Sequence, residues 1–197
     1  MTVSVRPATA AGTPAAVALL ARAFHEHPVY RHVLPDDGSR RRRLPGLMRT
    51  MVVTMHGDAG PLDVAHDGES LVGAAAWHEP GATEPGGLRS ARAVVGMAWA
   101  TRRHLGRWSE LGTAMAALRP AEPHWYLFHV GAEPGRRGRG VGSALVEHGL
   151  ARADPLPVHL ECARDLVGYY ARFGFAEGDP VPLAGLDLVT MTRPGRA

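Results

Sequence analysis

A chain of 197 residues, 45% of them hydrophobic, holds enough apolar material for one medium-sized domain spanning residues 1–197. A single cysteine, Cys162, excludes an intrachain disulfide and a cysteine zinc cluster, and no apolar run is long enough to cross a bilayer. Net charge is only +3, and Arg40-Arg41-Arg42-Arg43, the one basic run, reads as a solvated helix start, so neither nucleic acid nor a membrane is an expected partner. All 22 basic residues are arginine, and isoleucine, asparagine and glutamine are also absent. That bias fits a GC-rich genome and lowers the meaning of any single arginine. The opening MTVSVRPATA lacks the apolar stretch of a signal peptide, which makes the cytoplasm the expected compartment.

Thr2 to Arg6 alternates apolar and polar residues, as a half-buried strand does. Thr13 then Pro14 predicts a helix start, with Thr13 as N-cap, Val17, Leu20, Ala21 and Phe24 on one face, and Pro28 as the stop. His25 to His32 carries three histidines and reads as a linking stretch, either a border of a substrate pocket or a solvated surface. Their spacing is not that of a zinc helix site, and no metal is expected. Leu44, Leu47, Met48, Met51 and Met55 recur at helical spacing, with methionines that suit either a core or a bulky ligand. Pro61 to His66 and Ser70 to Trp77 form a predicted hairpin across Asp67-Gly68-Glu69. The small residues Gly73 to Ala76 point to close packing or a pocket wall.

Pro80 to Gly87 reads as a loop. Two helical patterns follow, Leu88, Ala91, Val95, Ala98 and Trp99, then Trp108, Leu111, Met115 and Leu118, with a break at Leu105-Gly106. Next come a strand over Trp125–Ala132, a helix burying Val141, Leu145, Val146 and Leu150, a strand over Pro157–Cys162, a short helix over Asp165–Phe173 and a last strand over Leu186–Thr192. Strands alternating with helices in this order predict an α/β domain with a mixed sheet.

The stretch richest in chemistry is Arg137-Gly138-Arg139-Gly140-Val141-Gly142, between a strand and a helix. Glycines let the backbone approach a ligand, and the first N–H groups of a helix are unpaired and lie at its positive end. Together they make an anion site suited to phosphate. A Walker loop would need lysine, and this chain has none; a dinucleotide fingerprint would need glycine where Ser143 stands. The remaining pattern, Arg/Gln-x-x-Gly-x-Gly/Ala, is met by Arg137, Gly140 and Gly142. It resembles motif A of the GNAT superfamily of acyl-CoA-dependent N-acetyltransferases. Tyr169-Tyr170-Ala171-Arg172-Phe173-Gly174-Phe175 looks like the Tyr-x-x-x-Gly-Phe segment after that family's fifth strand, and Leu160-Glu161 resembles the Leu-Glu on it. Scattered matches around Phe24 to His32, Trp77 and Pro120 to Tyr126 look like the puromycin N-acetyltransferase branch.

The resemblance implies the GNAT fold, with a mixed central sheet splayed between strands 4 and 5 and flanked by helices. It implies transfer of acetyl from acetyl-CoA to an amine by direct attack in a ternary complex. The cofactor-binding set would be Val130, Gly131 and Ala132 along the open strand edge, with Arg137, Gly138, Arg139, Gly140, Val141, Gly142 and Ser143 at the diphosphate. Tyr170 matches the family's general acid, which protonates the leaving thiolate. For the base, Glu161 comes first, then His129 and Glu79, with solvent as the remaining option. Cys162 as a nucleophile is disfavoured. Many members place asparagine after the fifth strand; here Arg164-Asp165 stands in that region. The expected acceptor is a small-molecule amine, nucleoside-like or aminoglycoside-like. A protein or peptide amine, and a non-catalytic acyl-CoA sensor, are the alternatives, and a homodimer is left open.

Overall fold

The computed structural model describes residues 3–57, 59–82 and 87–196. In chain order the elements are β1 (Val3–Pro7), α1 (Thr13–Ala23), α2 (Pro28–Val33), α3 (Asp37–Arg49), a π-helical segment (Thr50–His56), β2 (Leu62–Asp67), β3 (Ser70–His78), α4 (Gly87–Thr101) and α5 (Leu105–Ala116). They continue as β4 (Trp125–Ala132), α6 (Val141–Ala153), β5 (Val158–Ala163), α7 (Val167–Ala171), β6 (Ala176–Pro180) and β7 (Leu188–Arg193). The seven strands form one sheet in the order β1-β2-β3-β4-β5-β7-β6. Among the described residues only β4 and β5 run parallel, and every other pair is antiparallel. This is the mixed α/β sheet expected from the order of elements.

Burial explains how the helices sit on it. On one face, Val17, Leu20 and Ala21 of α1 and Leu44, Leu47 and Met48 of α3 pack with Val64 and Ala74. On the other, Val141, Leu145, Val146 and Leu150 of α6 pack with Val72, Ala75, Trp77 and Leu127. The small residues of β3 are what let α6 come so close. A Cβ on Gly73 would lie 2.5 Å from Val141 Cγ1, and one on Gly149 only 2.0 Å from Trp77 Cζ2. Trp77 is fully buried there. α6 also reaches a buried charge in this layer: Arg152 donates to both carboxylate oxygens of fully buried Asp63, at 3.3 and 2.6 Å, and His148 Nε2 lies 3.8 Å from the same carboxylate.

Several local expectations are corrected. Thr13 is not the N-cap; Gly12 is, and the Thr13 hydroxyl donates to the Thr9 carbonyl. α1 ends at Ala23, and Pro28 opens α2 instead of stopping α1, with His27 as its N-cap accepting from the Val29 N–H. Arg40 is not solvated but 4% exposed, because it donates to the carbonyls of His25, Leu34 and Pro35 and so pins the turn around α2. On α4 the predicted inner face is the outer one: Leu88, Val95 and Trp99 are exposed, whereas Ala93, Met97 and Ala100 are buried. The break before α5 comes earlier, at Arg102–His104, and α5 ends before Leu118. The last helix is a 3-10 turn over Arg164–Leu166 followed by the shorter α7. β6 was not expected: Ala176 to Pro180 carries Gly, Asp and Pro and is an exposed edge strand. Thr2 and the centre of the Pro80–Gly87 loop lie outside the described residues.

Candidate active site

β4 and β5 pair only at Trp125 with Val158 and Tyr126 with His159. Beyond that point they part, and a cavity of about 540 Å³ opens between Leu127–Ala132 on one side and Leu160–Ala163 on the other. β3 occupies one edge of β4; the other edge faces the cavity with its peptide groups. A bulge changes what β4 presents. Ala76 pairs with His129 and Trp77 with Leu127, which leaves Phe128 as the extra residue. Phe128 and His129 consequently turn to the same side. His129 shares a 2.6 Å hydrogen bond with the Tyr30 hydroxyl and lies edge-on to Phe24, while Phe128 meets His56 and His78.

One end of the cavity leads to the glycine loop. After a 3-10 turn at Pro134–Arg136, Arg137 is extended and donates to the Ala23 carbonyl at 2.9 Å. Gly138 and Gly140 have φ of +73° and +81°, the left-handed region that favours glycine, and Gly140 caps α6. Val141, Gly142 and Ser143 precede the first helical hydrogen bond, from the Ala144 N–H to the Gly140 carbonyl, so their N–H groups point out of the helix start. A Cβ on Gly138 or Gly140 would touch nothing within 4 Å, which leaves this cradle open to a ligand. Gly142 differs: its Cβ would lie 2.9 Å from Tyr169 Oη. α7 is thus clamped against the helix start. The Arg22–Glu133 pair, at 2.9 and 2.6 Å, similarly ties α1 to the end of β4.

Midway along the cavity stand Tyr170 and Glu161. Tyr170 is 6% exposed, and burial pushes its phenol well above the usual range. It remains a neutral donor at any physiological pH. Glu161 sits at the apex where the strands part. The Tyr126 hydroxyl donates to its Oε2 at 2.5 Å, and Arg119 lies over the Tyr126 ring at 4.5 Å. Its Oε1 is buried, 3.7 Å from His159 Nε2, and has no hydrogen-bond partner. His159 Nε2 is likewise buried and without a hydrogen-bond partner, so a further polar group is needed to satisfy this pair.

The other acid–base candidates are placed differently. Burial, with help from His27, His56 and His78, drives His129 down to about 3. It is a neutral packed group already bonded to Tyr30. Glu79 is exposed and is not among the residues around the cavity. Cys162 borders the cavity, but burial pushes its thiol up to about 12, which keeps it out of the thiolate form. Arg164 turns outward to Glu177 and Asp187 at 2.6 and 2.8 Å, whereas Asp165 borders the cavity.

Residues 34–175 match the Acetyltransferase (GNAT) family. The chain belongs to the GNAT acetyltransferase family. A Corynebacterium glutamicum structure, "histone acetyltransferase HPA2 and related acetyltransferase", is 30% identical over 100% of this chain and 98% of its own, with a TM-score of 0.80. The ribosomal-protein-S18-alanine N-acetyltransferase of Escherichia coli is 14% identical over 100% and 96%, with a TM-score of 0.57. A GNAT acetyltransferase from Brucella melitensis, in complex with acetyl-CoA, is 16% identical over 100% and 92%, with a TM-score of 0.51. The last two share the fold.

This GNAT site also contains groups that sequence reasoning missed. Tyr126 and Arg119 were not singled out, because only the β4–β5 register sets Tyr126 beside Glu161. Tyr30 falls in the predicted linking stretch, yet His27 at the cap of α2 and Val29 and Tyr30 within it line the cavity. The methionine stripe divides: Met48 is core, while Met51 and Met55 reach the cavity from the π-helical segment. That helical period is common near functional sites. His25, Glu26 and Asp37 converge as well, but Arg40 and Arg41 pair with their carboxylates. Among the described residues no helix is long and apolar enough to cross a membrane.

Proposed function

We propose that residues 1–197 form one cytoplasmic acetyltransferase domain that moves acetyl from acetyl-CoA to an amine of a small molecule. The observation that carries this reading is a cavity that runs from Ala132 and Arg137, at the entrance to the glycine loop, past Tyr170, to Glu161. The residues present fit the cofactor: an open cradle at Gly138 and Gly140, unpaired N–H groups at the start of α6 and a strand edge free to pair with an amide-bearing arm. The acetyl-CoA complex of the Brucella relative supports the same choice.

In this reading, Val141, Gly142 and Ser143 N–H groups and the guanidiniums of Arg137 and Arg139 hold the diphosphate. Val130, Gly131 and Ala132 align the arm along β4, where a main-chain N–H polarises the thioester carbonyl. Acetyl-CoA supplies the activated acyl group. Glu161 Oε1 receives the substrate ammonium and takes one proton from it, and the freed amine attacks the carbonyl carbon. The carbon–sulfur bond breaks, and Tyr170 gives its proton to the departing sulfur. As the amide forms, the nitrogen gives up its second proton, which restores the Tyr170 phenol, and Glu161 releases its own proton to solvent; burial keeps the phenol neutral between turnovers.

A small acceptor is favoured over a protein segment because α5 covers the far half of the cavity with Trp108, Leu111 and Met115. Acceptors differ widely on this fold, as the names of the relatives show, so the fold itself does not choose one. The test is release of CoA with an amine panel, beside calorimetric binding of acetyl-CoA. Cys162→Ser serves as the control for thiol reagents. Release that needs an amine supports the enzyme; firm acetyl-CoA binding with no release from any amine would favour a sensor.

A further inference from the structure

The half of the cavity remote from the glycine loop has a marked chemical bias. Its walls are Met51, Met55, Trp108, Leu111, Met115 and Phe128, contributed by the π-helical segment, α5 and β4. Against this apolar surface stands a single buried carboxylate. Glu161 is 2% exposed at its side chain, with Oε2 taken by the Tyr126 hydroxyl and Oε1 unpartnered. The cation in this half is Arg119, stacked on Tyr126. Two more carboxylates border the cavity, but both are exposed. Glu26 is also engaged, 3.3 Å from His25 and 3.6 Å from Arg40. Asp165 belongs to the turn after β5. Of the histidines nearby, burial holds His78 and His129 at about 3, and His159 faces Glu161 Oε1 from β5 at 3.7 Å.

Resting on the acetyltransferase reading, we propose that the acceptor is an apolar monoamine, with one ammonium seated on Glu161 Oε1 and an aliphatic or aromatic body against the methionines, Trp108 and Phe128. One charged group finds one charged partner. A second ammonium on the same molecule would have to leave water for thioethers, an indole and a guanidinium, which gives it no compensating contact. Sugars bearing several amines and hydroxyls meet the same obstacle. Aromatic bodies gain most, because indole and phenyl faces offer offset or edge-on contacts, and methionine adapts to irregular shapes. The aminoglycoside-like acceptor is therefore set aside for this chain.

The experiment compares kcat/KM from CoA release for 2-phenylethylamine and hexylamine with that for 1,4-diaminobutane, spermidine and kanamycin. Expected is a preference of at least about 100-fold for the monoamines. Trp108→Ala is expected to raise KM for 2-phenylethylamine about tenfold while KM for acetyl-CoA stays within about twofold. Met115→Glu, half-buried and so tolerant of charge, is expected to narrow the monoamine-to-diamine ratio at least tenfold; Met55→Glu repeats the test if Met115→Glu fails to fold. Equal or better turnover of the polyamines, of kanamycin or of a peptide overturns this proposal and leaves the acetyltransferase reading standing. No release from any amine, with acetyl-CoA still bound, overturns that reading and this inference with it.

Discussion

Lowering the pH from 7 to 5 is expected to unfold this protein through its buried histidines. Burial holds His129 and His78 at about 3 and His27 at about 4, against about 6.5 in an unfolded chain. Their folded values are depressed, so the unfolded chain binds protons that the native state refuses. The stability they confer is present above pH 6.5 and is lost as the pH falls towards the folded values. At pH 5 each withdraws roughly 2 kcal/mol relative to pH 7, and the three together about 5–6 kcal/mol. Most of that, about 3–4 kcal/mol, goes between pH 6 and 5. Whole domains are stable by only about 5–15 kcal/mol, so the loss is large enough to abolish the native state. Urea melts at pH 7, 6 and 5 measure it. His78 stacks on His56 at 5.1 Å and lies 4.7 Å from Phe128, so His78→Phe keeps the ring contact and removes one titrating site. It should cut the pH dependence by roughly a third. An unfolding free energy that moves by less than about 2 kcal/mol between pH 7 and 5 would refute the argument, since one histidine alone should produce that much.

Three substitutions probe other parts of the structure. Tyr170→Phe should lower kcat at least about tenfold through loss of the proton donor, with acetyl-CoA affinity by calorimetry nearly unchanged; equal turnover removes Tyr170 from the mechanism. Arg152→Ala leaves the fully buried Asp63 carboxylate without its bidentate partner and should cost about 3–5 kcal/mol in thermal or urea melts. A loss below about 1 kcal/mol, the range of exposed pairs, would show that Asp63 finds water instead. Gly149→Ala sets a methyl 2.0 Å from the Trp77 ring and should destabilise by about 1–3 kcal/mol, although alanine is the better helix former by about 1 kcal/mol. A gain in melting temperature would mean that α6 can lift off β3 freely.

Local chemistry made most of the fold legible. Alternation marked β1, the Gly68 turn marked the β2–β3 hairpin, and spacing found the buried face of α6. What failed were judgements that depend on a third partner. α4 carries apolar residues on two faces, and only its packing on α3 and the π-helical segment selects Ala93, Met97 and Ala100 as the inner ones. Arg40 looked solvated within a run of arginines, yet the carbonyls of His25, Leu34 and Pro35 converge on it. β6 reads as a turn because Gly, Asp and Pro are poor strand formers; at an edge, paired only with β7, they are tolerated.

The site divides along the same line. The glycine loop is contiguous in sequence, so its anion-binding character could be read from residue order alone. The acid–base end joins residues far apart in the chain: Tyr126 with Glu161, and Tyr30 with His129. Both contacts depend on β4. Its register with β5 sets Tyr126 beside the glutamate, and its bulge at Phe128 turns His129 towards α2. Strict alternation without the bulge would put His129 on the opposite face from Phe128, towards α6 and away from the Tyr30 hydroxyl that it now bonds. A period-two pattern cannot announce an inserted residue, because the strand on either side of it still alternates. Hence the inserted residue left no mark in the sequence, while His129, which it turns towards Tyr30, was legible there only as one candidate base among three.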